Sequence, residues 1–75
     1  MKEIIVFRVE DQDPFLYKEV KYNFSLGDTV YYEFSQKEIE GIREFYGHPD
    51  CEGVICDKWI DIGNMKILWT VTVSP

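Results

Sequence analysis

The sequence predicts a mainly β protein of the α+β class, with one short helix before a C-terminal hairpin. Three observations support this class: five runs of strand-forming residues, a helical capping box, and a Gly-Asn turn between the last two runs. Five strands in so short a chain favour a strongly bent antiparallel sheet or a five-stranded barrel. The 75 residues suffice for a single domain, and 45% hydrophobic with 16% aromatic residues excludes a disordered chain.

The first half of the chain predicts three strands. Residues Lys2–Val9 are apolar and β-branched through their middle, which is typical of a mostly buried strand. A second strand is expected over residues 15–24, where the apolar alternation changes phase near Lys18 and indicates a bulge or bend. A tight turn over residues 25–28 precedes a third strand, residues 29–34, whose inward face is predicted to carry Val30, Tyr32 and Phe34.

A short helix is predicted over Gln36–Tyr46. Ser35 is followed three residues later by Glu38, which is the capping-box spacing. Downstream apolar residues recur at helical spacing, and Gly47 and Pro49 end the pattern.

The final third predicts a hairpin over residues 53–62 and 65–73, joined by a two-residue turn at Gly63-Asn64. In that register Lys58 faces Trp69 on an otherwise apolar sheet face, with its stem along the ring. The same face is expected to pair Ile62 with Met65, Ile60 with Ile67, Cys56 with Val71, and Val54 with Val73. The opposite, more polar face is expected to pair Asp61 with Lys66, Trp59 with Leu68, Asp57 with Thr70, and Ile55 with Thr72.

Two segments carry a resemblance to a known family. The run FSLGDTVYY (residues 24–32), followed later by GVI (residues 53–55) and a long hairpin, resembles small SH3-like barrel proteins. The similarity covers residues 24–73, and the chain departs from the family by an extra N-terminal strand pair and an insertion over residues 35–50. The resemblance implies a barrel fold and a habit of binding other molecules, without implying a particular activity.

No catalytic motif is present in the sequence. His48, Cys51 and Cys56 form an H-x2-C-x4-C array, but tetrahedral zinc needs a fourth ligand, which would have to be an aspartate. His48 beside Cys51 lacks an oxyanion site and an orienting residue for thiol catalysis. Neither a phosphate loop nor a serine elbow occurs. We therefore expect no enzyme activity, no cofactor and no metal.

The N-terminal region and the cysteines indicate a cytoplasmic protein. The apolar run of four residues near the N-terminus is too short for a signal peptide, and no segment approaches a membrane span. Cys51 and Cys56 are accordingly expected to be free thiols. The net charge of -6 opposes non-specific binding to nucleic acid or to an anionic membrane.

Acidic residues concentrate in one segment. Residues 38–57 contain six acids and one base, Arg43, so this segment accounts for -5 of the net charge. Such a charge run has two interpretations: a solvated helix face and loop, or an acidic surface that docks on a basic groove of a partner.

Trp59 and Tyr31 are the second feature, because both are predicted on polar sheet faces. Two interpretations remain open for Trp59. The helix covers it through Ile39, Ile42 and Tyr46, which forms a second small core, or it is exposed and anchors an interface.

These observations favour a small non-enzymatic binding protein that docks on a protein partner with a basic surface. Short acidic chains of this sort resemble accessory and inhibitor proteins carried by phages and mobile elements. Alternatives are a nucleic-acid-binding barrel that stacks bases on Tyr31 and Trp59, which the scarcity of basic residues makes the poorer fit, or a self-associating structural subunit. Either a monomer or a homodimer is expected. The predicted partner-binding residues are Tyr31, Glu38, Glu40, Glu44, Asp50, Glu52, Asp57, Trp59 and Leu68.

Overall fold

The computed structural model describes residues 1–46 and 49–74, and for residues 42–46 it describes the backbone alone. Within this part of the chain there are five strands and one helix. In chain order they are β1 (Lys2–Val9), β2 (Leu16–Glu19), β3 (Thr29–Tyr31), α1 (Gln36–Tyr46), β4 (Glu52–Asp61) and β5 (Lys66–Val73). The mainly β class with one short helix before the last hairpin is confirmed, and β1 and α1 have the predicted bounds.

The strands form one curled sheet, a half-barrel with the order β2-β1-β5-β4-β3. Three of the four pairings are antiparallel, as predicted, but β1 and β5 pair in parallel, so the sheet is mixed. The edge strands β2 and β3 follow one another in the chain. The segment between them therefore spans the open side of the half-barrel.

β2 is shorter than predicted because the chain leaves the sheet near the expected bend. The Val20 amide still donates to the Glu3 carbonyl at 3.1 Å, after which the sheet pairing ends. Phe24 then turns inward, with its ring centroid 5.8 Å from that of Trp69. Packing across the open side thus replaces the last part of the predicted strand.

The predicted turn over residues 25–28 is confirmed. The Asp28 amide donates to the Ser25 carbonyl at 3.1 Å, and the Ser25 amide donates to Asp28 Oδ2 at 2.8 Å. Gly27 adopts a φ of 90°, which favours glycine. Beyond this turn β3 ends at Tyr31, so the strand predicted over residues 29–34 is too long, but the predicted alternation is confirmed: Phe34 is buried and both Val30 and Tyr32 are half-buried.

The core lies on the concave face of the sheet. Its buried members are Ile5, Phe7, Val9, Phe34, Ile55, Trp69, Val71 and Val73. Helix α1 joins this core through Ile39. The predicted capping box begins the helix: the Ser35 amide donates to Glu38 Oε1 at 2.8 Å, and the Glu38 amide donates to Ser35 Oγ at 3.2 Å.

The hairpin turn is longer than predicted. β4 ends at Asp61 and β5 begins at Lys66, so four residues rather than two connect them, and Met65 takes a φ of 54°. Asp61 stabilises the turn by accepting hydrogen bonds from the Asn64 amide at 3.2 Å and from Asn64 Nδ2 at 2.9 Å. The predicted pairing is nevertheless confirmed from Asp61 with Lys66 to Asp57 with Thr70.

A β-bulge at Cys56 shifts the rest of the hairpin by one residue. Ile55 pairs with Val71 and Val54 with Thr72, so the predicted pairs of Cys56, Ile55 and Val54 are wrong. Ile55 is 1% exposed and Val54 is 47% exposed. The Ile55 amide and carbonyl bond to the Asp28 carbonyl and the Gly27 amide, at 2.9 and 2.8 Å. These bonds hold Ile55 over the core and leave Cys56 as the extra residue.

The apolar face predicted for the hairpin is buried only near the core. Trp69 is buried with Lys58 Nζ 4.8 Å from its ring centroid, which confirms the predicted contact. Ile60, Ile62 and Met65 are exposed because the hairpin extends past the core.

Candidate functional site

The convex outer face of the sheet carries two rows of side chains that cross four strands. From β2 to β4, one row consists of Tyr17, Val6, Thr70 and Asp57. The neighbouring row consists of Glu19, Ile4, Leu68 and Trp59. The pleat directs these residues away from the core, because side chains alternate between the two faces of a strand.

Between these rows lies a shallow hollow of about 230 Å³, here called the outer hollow. Its lining is Val6, Pro14, Tyr17, Asp57, Trp59, Leu68 and Thr70. Val6 is 4% exposed although it faces outward, whereas Tyr17 and Trp59 are 60% and 66% exposed. An apolar floor between two exposed rings, with the Asp57 carboxylate in the same lining, is a surface suited to an amphipathic side chain.

Trp59 is therefore an exposed residue. Of the two interpretations left open, the one in which α1 covers Trp59 is wrong, because Ile39 packs on the core, on the opposite side of the sheet. Ile42 and Tyr46, which were expected to share that contact, have side chains outside the described part of the structure. The alternative interpretation, an exposed aromatic residue, is the one that the structure supports.

Tyr31 forms a second aromatic position on the outer face. It is 68% exposed and lies opposite Glu52 in the β3–β4 pairing. Val54, half-exposed and opposite Thr29, continues this face toward Asp57. Along β4, the outer face thus presents a carboxylate beside each of two exposed rings.

Glu38 is engaged within the fold. Tyr32 Oη donates to its two carboxylate oxygens at 2.9 and 3.0 Å, and Lys18 Nζ lies 3.0 Å from Oε2. Burial alone would raise the pKa of Glu38, but hydrogen bonds from Ser35, Lys18 and Tyr32 outweigh it and lower the pKa to about 2. The structure places this carboxylate on the core side, away from the outer hollow.

The other predicted acids are dispersed. Glu40 is exposed on α1, and Asp50 is exposed in the loop before β4, where its amide donates to the Ser74 carbonyl at 2.8 Å. The side chain of Glu44 lies outside the description. Of the nine predicted binding residues, the structure brings Asp57, Trp59 and Leu68 together in the outer hollow. It sets Tyr31 and Glu52 beside one another further along β4.

Sequence reasoning missed a larger cavity of about 590 Å³ inside the half-barrel, here called the inner cavity. Ile5 and Phe7 contribute buried wall, and Tyr22, Phe24, Val30 and Tyr32 line it further. The alternation of Val20, Tyr22 and Phe24 was a signal for it. The cavity itself depends on β2 and β3 lying at opposite edges of the sheet, which local sequence does not show.

The cysteines occupy different environments. Cys51 is half-buried, and Cys56 is exposed with Sγ 3.1 Å from Thr72 Oγ1; both are free thiols. Arg8 donates to the same Thr72 Oγ1 at 3.2 Å and reaches Cys56 Sγ at 3.7 Å. His48 lies outside the described residues. Within those that are described, no cluster of three or more His, Cys, Asp or Glu side chains could hold a metal ion.

The helix is short, and among the described residues no helix is long and apolar enough to cross a membrane.

In comparisons with known proteins, the chain matches no family model, no curated protein and no solved structure. The resemblance to small SH3-like barrels therefore stays a prediction.

Proposed function

We propose that the protein is a non-enzymatic binding module whose outer face docks a basic, partly apolar surface of a protein partner. The observation that carries this proposal is the exposed ring of Trp59 beside the Asp57 carboxylate in the outer hollow. Trp and Tyr dominate the energetics of protein interfaces when they are buried by a partner. We also infer a cytoplasmic location, because free thiols are typical of a reducing compartment.

The chemistry of the outer hollow favours an arginine or lysine of the partner. A guanidinium stacked on Trp59 gains a cation–π contact, and Asp57 provides a carboxylate for a charge-assisted hydrogen bond. The exposed Tyr31 beside Glu52 repeats the same combination further along β4. The net charge of -6 would attract a basic partner over a longer range and would speed association.

The test is capture of partners from a cell lysate by the tagged protein at low and high salt. Trp59→Ala and Asp57→Asn are both expected to remove the same captured protein. That protein should also be released at high salt, because exposed charges are screened. Tyr22→Ala and Asp11→Asn remove an equally exposed ring and a carboxylate outside the outer hollow, and both controls should retain it. Equal capture by all four variants would contradict the proposal.

The alternatives predict different results. A nucleic-acid-binding barrel would shift single-stranded DNA or RNA at low salt, and Tyr31→Ala with Trp59→Ala would abolish the shift. A structural subunit would self-associate with increasing concentration in sedimentation experiments, without any other protein.

A further inference from the structure

β4 extends well beyond the strand that covers its outer edge. The β3 pairing reaches Val54, and the last hydrogen bonds on this side connect Ile55 with Gly27 and Asp28. Past Ile55, no strand in the described part of the chain pairs with this edge of β4. All residues from Cys56 to Ile60 are exposed. The second half of β4 is therefore an open strand edge.

The backbone of this edge is accessible. The Lys58 amide donates to Asp57 Oδ1 at 2.9 Å, a local hydrogen bond that marks an amide facing the open side. The carbonyl of an added strand could accept from this amide instead. Asp57 would then be released to pair with a basic side chain.

The side chains along the edge define a charge pattern. Asp57, Trp59 and Asp61 point to the outer face, and Lys58 and Ile60 point to the inner face. Directly opposed side chains of neighbouring strands attract when their charges differ and repel when they are alike. An added strand would thus prefer basic residues opposite the two aspartates and apolar residues opposite Trp59 and Ile60.

From this geometry we propose that an extended basic segment of a protein partner adds to the open edge of β4 as an antiparallel strand. Read from its N-terminus, the segment has the pattern basic–apolar–apolar–acidic–basic, with its residues opposite Asp61, Ile60, Trp59, Lys58 and Asp57 in turn. The inference rests on the proposed function, since the strand would also cover the ring of Trp59. It adds the mode of binding and the sequence pattern of the partner.

A second copy of the chain is a poorer occupant of this edge. Antiparallel pairing of two β4 edges centred on Trp59 sets Asp57 of each copy opposite Asp61 of the other. Pairing centred on Lys58 sets two lysines opposite one another. Both of these registers place like charges directly across the strands, which is unfavourable. Pairing centred on Ile60 avoids like charges but joins only residues 59–61 of each copy, because β4 ends at Asp61.

The probe is a synthetic peptide with the core Lys-Ile-Val-Glu-Arg between neutral flanks. Binding is followed by fluorescence of Trp59 in a Trp69→Phe background and by hydrogen exchange of backbone amides in the unaltered protein. We expect protection of the Lys58 and Ile60 amides. N-methylation of the peptide's isoleucine and glutamate, whose amides face β4, should weaken binding by about tenfold or more. N-methylation of the central valine, whose amide faces away, is the matched control and should change little.

Charge exchange tests the register. Asp57→Lys should weaken binding of the peptide by about tenfold. A peptide with glutamate in place of its arginine should bind this variant with most of the lost affinity restored. Asp11→Lys makes the same charge change on the β1–β2 loop and is the control. It should leave the affinity for the original peptide unchanged, and exchanging the peptide's arginine for glutamate should give it no gain in affinity.

Each outcome is decisive for the inference. Alternate sensitivity to N-methylation together with charge rescue would establish strand addition. Binding that is indifferent to N-methylation would overturn strand addition but leave docking on the outer face intact. Absence of peptide binding would also overturn the inference, whereas the proposed function would still be decided separately by the lysate experiment with Trp59→Ala and Asp57→Asn.

Discussion

Gly53 lies on β4 opposite Val73, where no side chain fits. A Cβ atom at this position would lie 2.6 Å from the Thr72 carbonyl oxygen and 2.7 Å from methyl carbons of Val71 and Val73. The Thr72 contact is with backbone, so the sheet itself would have to move. Glycine is required here by space rather than by conformational freedom.

Gly53→Ala is expected to lower the free energy of unfolding by about 1 to 3 kcal/mol through overpacking. Chemical denaturation measures the change. Gly41→Ala is the control, because in the described part of the chain no atom beyond its neighbours and its own helix backbone lies within 4 Å of the added Cβ, and alanine favours the helix interior. It should raise the free energy of unfolding by up to about 1 kcal/mol. A loss of stability in both variants would contradict the packing argument.

Glu38 connects the start of α1 to β2 through Lys18, and its titration should be visible in stability. A carboxyl group whose pKa falls from 4.5 in the unfolded chain to about 2 in the folded protein stabilises the native state at pH values above 4.5. That contribution is lost as the pH falls from 4.5 through about 2. The pKa of Lys18 is raised by the hydrogen bond to Glu38, so the ammonium stays charged throughout this range.

Glu38→Gln should therefore cost roughly 1 to 3 kcal/mol at neutral pH, because the charged acceptor of several hydrogen bonds is removed. The difference from the unaltered protein should shrink as the pH falls from 4.5 to about 2, as measured by urea unfolding. Glu40→Gln removes an exposed carboxylate from the same helix and is the matched control. The same pH dependence in both variants would argue against the assignment to Glu38.

At the scale of elements, the bulge in β4 determines which side chains enter the core. The regular register places Val54 on the buried face, and the bulged register places Ile55 there. Ile55→Ala should lower the free energy of unfolding by about 2 to 5 kcal/mol because it leaves a cavity in the core. Val54→Ala, at a half-exposed position, should change the free energy of unfolding by no more than about 0.5 kcal/mol. Denaturation of the two variants discriminates between the registers, and a reversed order of cost would refute the bulge.

The elements that could be predicted from sequence are those with local signals. The Ser35–Glu38 spacing predicts the start of α1, and the pairing near the turn follows from a hairpin centred on Gly63-Asn64, which the longer turn leaves unchanged. The bulge has no such signal, because Val54, Ile55 and Cys56 are all apolar and either alternation fits them. The choice depends on hydrogen bonds from Ile55 to a turn distant in the sequence.

The candidate site shows the same division. Strand alternation correctly placed Trp59 beside Leu68 on the face away from Trp69. Its exposure could not be predicted, because the apolar spacing of α1 indicates that the helix has a buried side without indicating which sheet face it covers. Tyr17 was missed because its place opposite Val6 depends on the β1–β2 register.

For the molecule as a whole, the central pairing is the most distant in sequence. β1 lies between β2 and β5. The β1–β5 pairing begins with Lys2 opposite Lys66, two residues that are separated by most of the chain. Strand order of this kind depends on tertiary contacts, which explains why an all-antiparallel sheet was expected.

Such distant pairing predicts folding on the millisecond-to-second scale rather than in microseconds. Stopped-flow fluorescence can measure it, because Trp69 is 4% exposed and Trp59 is 66% exposed. Trp59→Phe should preserve both the rate and most of the signal change, since Trp69 is the ring that becomes buried. Microsecond folding would contradict the predicted rate, and loss of the signal in Trp59→Phe would contradict its assignment to Trp69.

The parallel arrangement of the first and last strands also has a mechanical consequence. β1 and β5 run side by side through eight residue pairs, from Lys2 with Lys66 to Val9 with Val73. Tension between the two ends of the described chain would pull these strands along their length in opposite directions. All of the hydrogen bonds between them would then carry the load together instead of peeling apart one by one. A chain this short can therefore be stiff under stretching, even though its thermodynamic stability rests on one small core.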